Sequence, residues 1–271
     1  MPEGLMLLAV AIAIALPLER LLPVHRQPVL RPQVVTDGLH LVLTSALSKG
    51  FFQLLFGALL ATGIVALDRA TAIEGMKAAV AAQPFWLQFV EAMVTYELFG
   101  YWSHRASHEW RWWWRFHSIH HSSTTLDWLA TPRLHFVDQG LRQAVKLAPL
   151  AALGFTKASF GLVAVVGPVL TFLIHANVRL HLGPFRFLYT SPQFHHWHHA
   201  LTPINKNYSD QFPWLDALFG TLHLPRGRFP DAYGIAEPVP ASWWAQMLQP
   251  FKTLGSGPSA TGFPLADRHT R

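Results

Sequence analysis

The chain has no cysteine, which excludes disulfides, thiolate nucleophiles and sulfur-bound metals and leaves histidine and the carboxylates to hold any metal. Charge is scarce as well. Asp, Glu, Lys and Arg together make 13% of the 271 residues while 51% are hydrophobic, too few to clothe an ordinary soluble enzyme. Acidic residues are the scarcer sign, 15 against 21 Lys and Arg, for a net charge of +6. Basic loops lying against anionic head groups account for that excess, so nucleic acid is not an expected partner.

Apolar runs are what the chain has in quantity. Residues 5–18, 39–67, 85–102 and 147–174 approach or exceed the roughly 20 residues of a bilayer-spanning helix. The composition therefore predicts a multi-pass integral membrane protein, all-α, built as a membrane helical bundle. The first run opens on "MPEG" and reaches Glu19 and Arg20 with no small-residue cleavage site, so it is expected to be a retained helix and not a signal peptide. Arg20, Arg26 and Arg31 follow it, whereas Asp68, Arg69, Glu74 and Lys77 nearly cancel after the second run. That asymmetry puts the first loop in the cytoplasm, in a bacterial inner membrane by expectation, and the third run returns the chain there. The organisation expected is membrane helices over 1–103, a cytoplasmic segment over 104–146, a membrane hairpin over 147–175, and a proline-rich cytoplasmic cap and tail over 176–271.

Against this background the histidines stand out, because twelve of 16 lie between His104 and His199. His104 and His108 are four apart and share a helix face; His117, His120 and His121 repeat that geometry, as do His195, His198 and His199. With His175 at the end of the fourth run the count is nine nitrogen ligands, too many for one ion and suited to two. His25, His40 and His269 lie outside these clusters and are expected to be dispensable. A shared site requires all the clusters on one side of the membrane. The stretch "GFTKAS" (154–159) supplies a turn for a re-entrant hairpin that meets this condition. A metal transporter would place such residues at the midplane of several spans, and a b-type cytochrome would oppose single histidines; clustering at helix ends fits neither.

The order of these boxes, with "YWSHR" before the first, "WRFHSIHHS" through the second, "HAN" at 175–177, and "FHHWHH", "KNY" and "LFGT" around and after the third, resembles the fatty acid hydroxylase/sterol desaturase superfamily of membrane non-haem diiron enzymes. The resemblance covers about Tyr96 to Thr221. It implies an O2-dependent lipid hydroxylase, or a desaturase on the same site, holding two iron ions that zinc can replace on expression. It also implies a separate electron donor, ferredoxin-like or cytochrome b5-like with its reductase, and a membrane lipid as substrate. Carried over onto this chain, the metal ligands are His104, His108, His117, His120, His121, His175, His195, His198 and His199, and no other catalytic side chain is expected. Partners for the outer ring nitrogens are expected among Glu97, Asp127, His135, Asn177, His196 and Asp210, with Asp216 a further carboxylate. His135 is open between ligand and supporting residue, His196 is read as a neighbour, and His181 matches no ligand position. The tryptophans of "WRWWWR" (110–115) are read as interfacial anchors.

Overall fold

The computed structural model describes residues 3–59, 61 and 71–252; Asp68, Arg69 and His269 lie outside them. Among the described residues all regular structure is helical, apart from isolated bridges pairing Pro23 with Val178 and Ala200 with Tyr233. In chain order the helices are α1 (Glu3–Leu21), α2 (Val34–Leu59, with a π turn at His40–Thr44), α3 (Thr71–Ala81), α4 (Phe85–Glu109) and α5 (Arg111–His121). They are followed by α6 (Phe136–Leu153), α7 (Lys157–His175), α8 (Pro192–His198), α9 (Pro213–Leu218) and α10 (Trp243–Lys252).

Of the four apolar runs, those in α2 and α7 are long and apolar enough to cross a membrane. α1 and α4 are helical over their runs; Glu19 and Arg20 follow the run in α1, and Gln88, Glu91 and Glu97 interrupt the one in α4. At about 1.5 Å per residue α7 is ~28 Å long, close to a bilayer's hydrocarbon thickness. Residues 147–174 form two helices, as a hairpin requires. α6 closes on Gly154 at φ +83°, a left-handed conformation open to glycine, and the Thr156 hydroxyl then accepts from Ser159 N to start α7. α6 begins at Phe136, so one helix runs through the boundary expected at 146/147.

The core that positions everything else lies where α4, α6 and α7 meet. Ala92, Met93 and Tyr96 pack on Leu147, Leu150 and Val163, with Phe52 and Phe56 of α2 closing one side. The opposite side of α2 leaves Val42, Leu47 and Leu54 exposed. Gly100 lets α4 and α6 approach closely, since a β-carbon there would stand 2.9 Å from Lys146 Cε. From this core α4 continues to His104 and His108, the chain reverses at Trp110, and α5 lays His117–His121 beside them.

The C-terminal segment is tied down by a polar chain. Trp243 Nε1 donates to Thr44 Oγ1 at 2.8 Å, Thr44 Oγ1 sits 3.0 Å from His40 Nδ1, and His40 Nε2 sits 2.7 Å from Gln246 Oε1. His40 is fully buried and outside both histidine groups; its role is structural, fastening α10 to α2. Each buried polar partner orphaned by His40→Ala costs about 1–3 kcal/mol. That variant is expected to melt several degrees lower in detergent with its metal content unchanged; an unchanged melting curve would show that the tie contributes nothing.

Candidate metal centre

The structure gathers the nine boxed histidines into two buried groups. His104, His108, His117, His121 and His198 form one and His120, His175, His195 and His199 the other; within each group the candidate ligand atoms lie within 4.8 Å of one another. Helix geometry explains the division. His117 and His121 are one turn apart and face the first group, while His120, about 60° from His117 and about 100° from His121 around the helix, faces the second. α8 repeats the device in reverse: His195 and His199 serve the second group and His198 the first. Each His-x2-His-His box thus bridges both groups.

The outer nitrogens are anchored mainly by backbone carbonyls. His104 Nδ1 donates to Tyr208 O at 2.7 Å, His198 Nδ1 to Lys206 O at 2.8 Å, His120 Nδ1 to Arg133 O at 3.1 Å and His175 Nδ1 to Thr171 O at 2.8 Å. His117 Nδ1 instead donates to Asp138 Oδ2 at 2.9 Å. A neutral ring that donates through Nδ1 carries a bare lone pair on Nε2. Those lone pairs face each other: Nε2 to Nε2 is 3.2 Å for His104–His117 and for His120–His175, where both rings are anchored. The other close Nε2 pairs are His117–His121 at 3.2 Å, His175–His195 at 2.9 Å and His195–His199 at 3.1 Å. Two lone pairs cannot hydrogen-bond to each other. Two nitrogens bound about 2.1 Å from one ion at right angles lie ~3 Å apart, so this spacing is that of ligands sharing a cation. The Nε2 atoms of His108 and His198 have no hydrogen-bond partner either. Burial pushes His120, His121, His195 and His199 well below the ordinary histidine value, and His198 down to about 3. Neutral imidazole is the ligand form.

The family follows from the segment that carries this geometry. Residues 89–221, which include all nine histidines, match the family model described as fatty acid hydroxylase. The chain belongs to the fatty acid hydroxylase family. It is 34% identical over 174 residues to ornithine lipid hydroxylase OlsE of Rhizobium tropici, covering 64% of this chain and 53% of that protein. It is 30% identical over 160 residues to alkylglycerol monooxygenase of Danio rerio, covering 58% of this chain and 34% of the relative. The Caenorhabditis elegans alkylglycerol monooxygenase is 30% identical over 144 residues, 50% of this chain and 27% of its own. The chain thus spans about half, or less, of the length of these relatives. No solved structure matches it.

In this family member the residues expected to support the ligands do other work. Glu97 shares the face of His104 but lies seven residues back, ~10 Å along the helix, and its Oε2 accepts from Gln211 N at 2.8 Å. Asp127 pairs with Arg31 at 2.6 Å and caps the turn at Ala130. Asn177 brackets the backbone of His25. His135 caps α6 through Nδ1 and donates from Nε2 to Met247 O at 3.1 Å, so it belongs to neither group. His196 spans Tyr233 Oη and Ala176 O, a neighbour as expected, and His181 is exposed and belongs to neither group. Asp210 stands 3.9 Å from His104 Nδ1 but binds Lys146. Burial alone would raise its carboxyl; the Lys146 ammonium and the Arg142 guanidinium outweigh that and hold it below the usual range.

Three features had little sequence signal. Asp138, on the first turn of α6, takes His117 and also accepts Trp113 Nε1 at 2.7 Å. Trp113 and Trp114 are accordingly buried at the site, unlike the exposed Trp110 and Trp112; only these two fit the reading as interfacial anchors. Asn207, at φ +58°, turns the carbonyls of Lys206 and Tyr208 onto two ligands, and Asp216 clamps this loop through Tyr208 N at 2.7 Å and Ser209 N at 2.9 Å. The spacing of "KNY" marks the loop, but carbonyls leave no residue signature. Loss of the anion on His117 through Asp138→Asn is expected to weaken metal retention about 10–100-fold against a competing chelator, whereas Asp127→Asn leaves it unchanged. Equal retention in both variants would assign Asp138 to packing.

Proposed function

We propose that the chain is a membrane-bound lipid hydroxylase that uses O2, two electrons and two protons to convert a C–H bond of a lipid into C–OH with release of water. The observation that carries this reading is the pair of buried imidazole groups, in each of which bare Nε2 atoms of two anchored rings face one another at 3.2 Å. Family membership and relatives named as a lipid hydroxylase and monooxygenases support it. Iron held by the five-histidine and four-histidine groups would supply the two-electron activation of O2 that an unactivated C–H bond demands.

The chain's own residues set the conditions. The anchored Nδ1 atoms fix ring direction and tautomer, so the ligand set is preorganised. A cavity of about 170 Å³ adjoins His104, His120, His175 and His195 and receives the lipid. The exposed apolar face of α2 and the length of α7 support placement in a bilayer, with the boxes at the cytoplasmic ends of the helices. Reducing equivalents come from a separate ferredoxin-like or cytochrome b5-like protein. Desaturation starts from the same hydrogen abstraction; the hydroxylating relatives favour insertion of oxygen.

Protein purified anaerobically in mild detergent is expected to carry close to two transition-metal ions per chain, iron or substituting zinc. Lipid extracts from cells expressing it are expected to contain a species heavier by one oxygen, absent with His120→Ala. A species lighter by two hydrogens would make the enzyme a desaturase, and a chain without metal would end the reading. For sidedness, cysteines introduced at Glu74 on α3 and at Arg226, both exposed, are expected to differ in intact cells: an impermeant thiol reagent labels Glu74→Cys only. Labelling of Arg226→Cys from outside would invert the proposed topology.

A further inference from the structure

The cavity beside the two histidine groups has a largely apolar wall, including Tyr96, Leu134 and Phe172, into which a cluster of charged and amide side chains is set. Ser45, Gln139, Arg142, Gln143, Lys146 and Asp210 line it. A second cavity of about 410 Å³ shares Ser45, Gln139, Gln143 and Pro168 with the first; Phe52, Phe56, Leu147, Phe160 and Ala164 make most of its remaining wall, with Ser48 and Lys49 at its α2 side. It lies between α2 and α7, the two helices apolar and long enough for a bilayer. The two spaces therefore adjoin, the outer one the more apolar and the inner one carrying Arg142, Lys146 and Asp210 beside the histidines. That is the polarity of an amphiphile whose head, and not its tail, reaches the metals.

Charge sharpens this. Arg142 and Lys146 face the inner cavity against a single anion, Asp210, and Lys146 takes that anion in a close ion pair. Arg142 keeps only a 3.5 Å contact from Nη2 to Asp210, and its Nε has no partner although its side chain is 12% exposed. The buried Thr131 hydroxyl on the same wall is likewise unpartnered. Glu97 does not line the cavity, and its Oε2 is taken by the Gln211 amide. An underused guanidinium is adverse beside a centre built for two metal cations, and an anion arriving between them removes the conflict.

We infer that Arg142, with Gln139 and Gln143, binds an anionic head group of the lipid substrate, so that the lipid enters head first and the C–H bond oxidised lies at the polar end of the molecule. This rests on the hydroxylase reading above and adds the substrate class to it. A guanidinium fork suits either a carboxylate or a phosphate.

The test reads binding without turnover. Metal-loaded protein in a neutral detergent is titrated with dodecanoate, dodecyl phosphate and monododecanoylglycerol, using tryptophan fluorescence, and metal content is measured on the same samples. The wild type is expected to bind one or both anions about tenfold or more tighter than the neutral amphiphile, as a charge-assisted pair gives; the tighter anion identifies the head as carboxylate or phosphate. Arg142→Gln is expected to abolish the preference while retaining both metals, and Arg142→Met, of similar length, provides the same reading if the first variant does not fold. No preference in the wild type, or a preference that survives either substitution, overturns the anion subsite. Since metal is measured separately, that result leaves the hydroxylase reading standing, whereas a chain without metal removes the hydroxylase reading and not the anion subsite.

Discussion

Everything in the polar half of the molecule depends on holding nine buried imidazoles with their Nε2 lone pairs or free nitrogens converging on two points. Such an arrangement is repulsive by itself, since the rings anchored through Nδ1 have no proton to share across gaps of about 3 Å. It survives because each anchored ring is pulled from behind. Four are held by carbonyls of the backbone and one by Asp138. The scaffold therefore presents these nitrogens in the form that binds cations, and the fold supplies the rigidity that holds them in place.

That rigidity comes from loops as much as from helices. The segment at 205–221 brings the Tyr208 and Lys206 carbonyls to His104 and His198, and it holds its shape through Asn207, which bonds Phe194 O and His223, and through Asp216. On the other side Arg133 offers its carbonyl to His120 while its guanidinium is pinned by Asp37 at 2.6 Å. α2 thus reaches the second group through one buried ion pair. The carboxylates near the centre are mostly spent on fixing loops, and the neutrality of the ligands is left to burial.

The same organisation reconciles an apolar environment with a polar reaction. α4, α6 and α7 pack through Ala92, Met93, Leu147, Leu150 and Val163 in one half and carry their polar residues toward the other. The cavities inherit this gradient. On the proposed function, the orientation of a lipid substrate would be a property of this helix packing.

The sequence by itself determined the helical class, the break in the fourth run at 154–156 and the clustering of the histidine boxes, because helical period, turn residues and apolar runs are local properties. It could not determine how nine histidines divide between two groups; that depended on which face of α5 and α8 meets which neighbour. Nor could it name the groups behind the ligands. Glu97 matched His104 by face and failed by distance, and Asp127 was drawn off by Arg31. Asp138 succeeded from 21 residues away because α6 packs its first turn against α5. His40 looked peripheral and is buried only because the C-terminal helix folds back over α2. Hydrogen bonds from carbonyls, and contacts between segments far apart in the chain, have no local residue signature, so tertiary packing alone decided them.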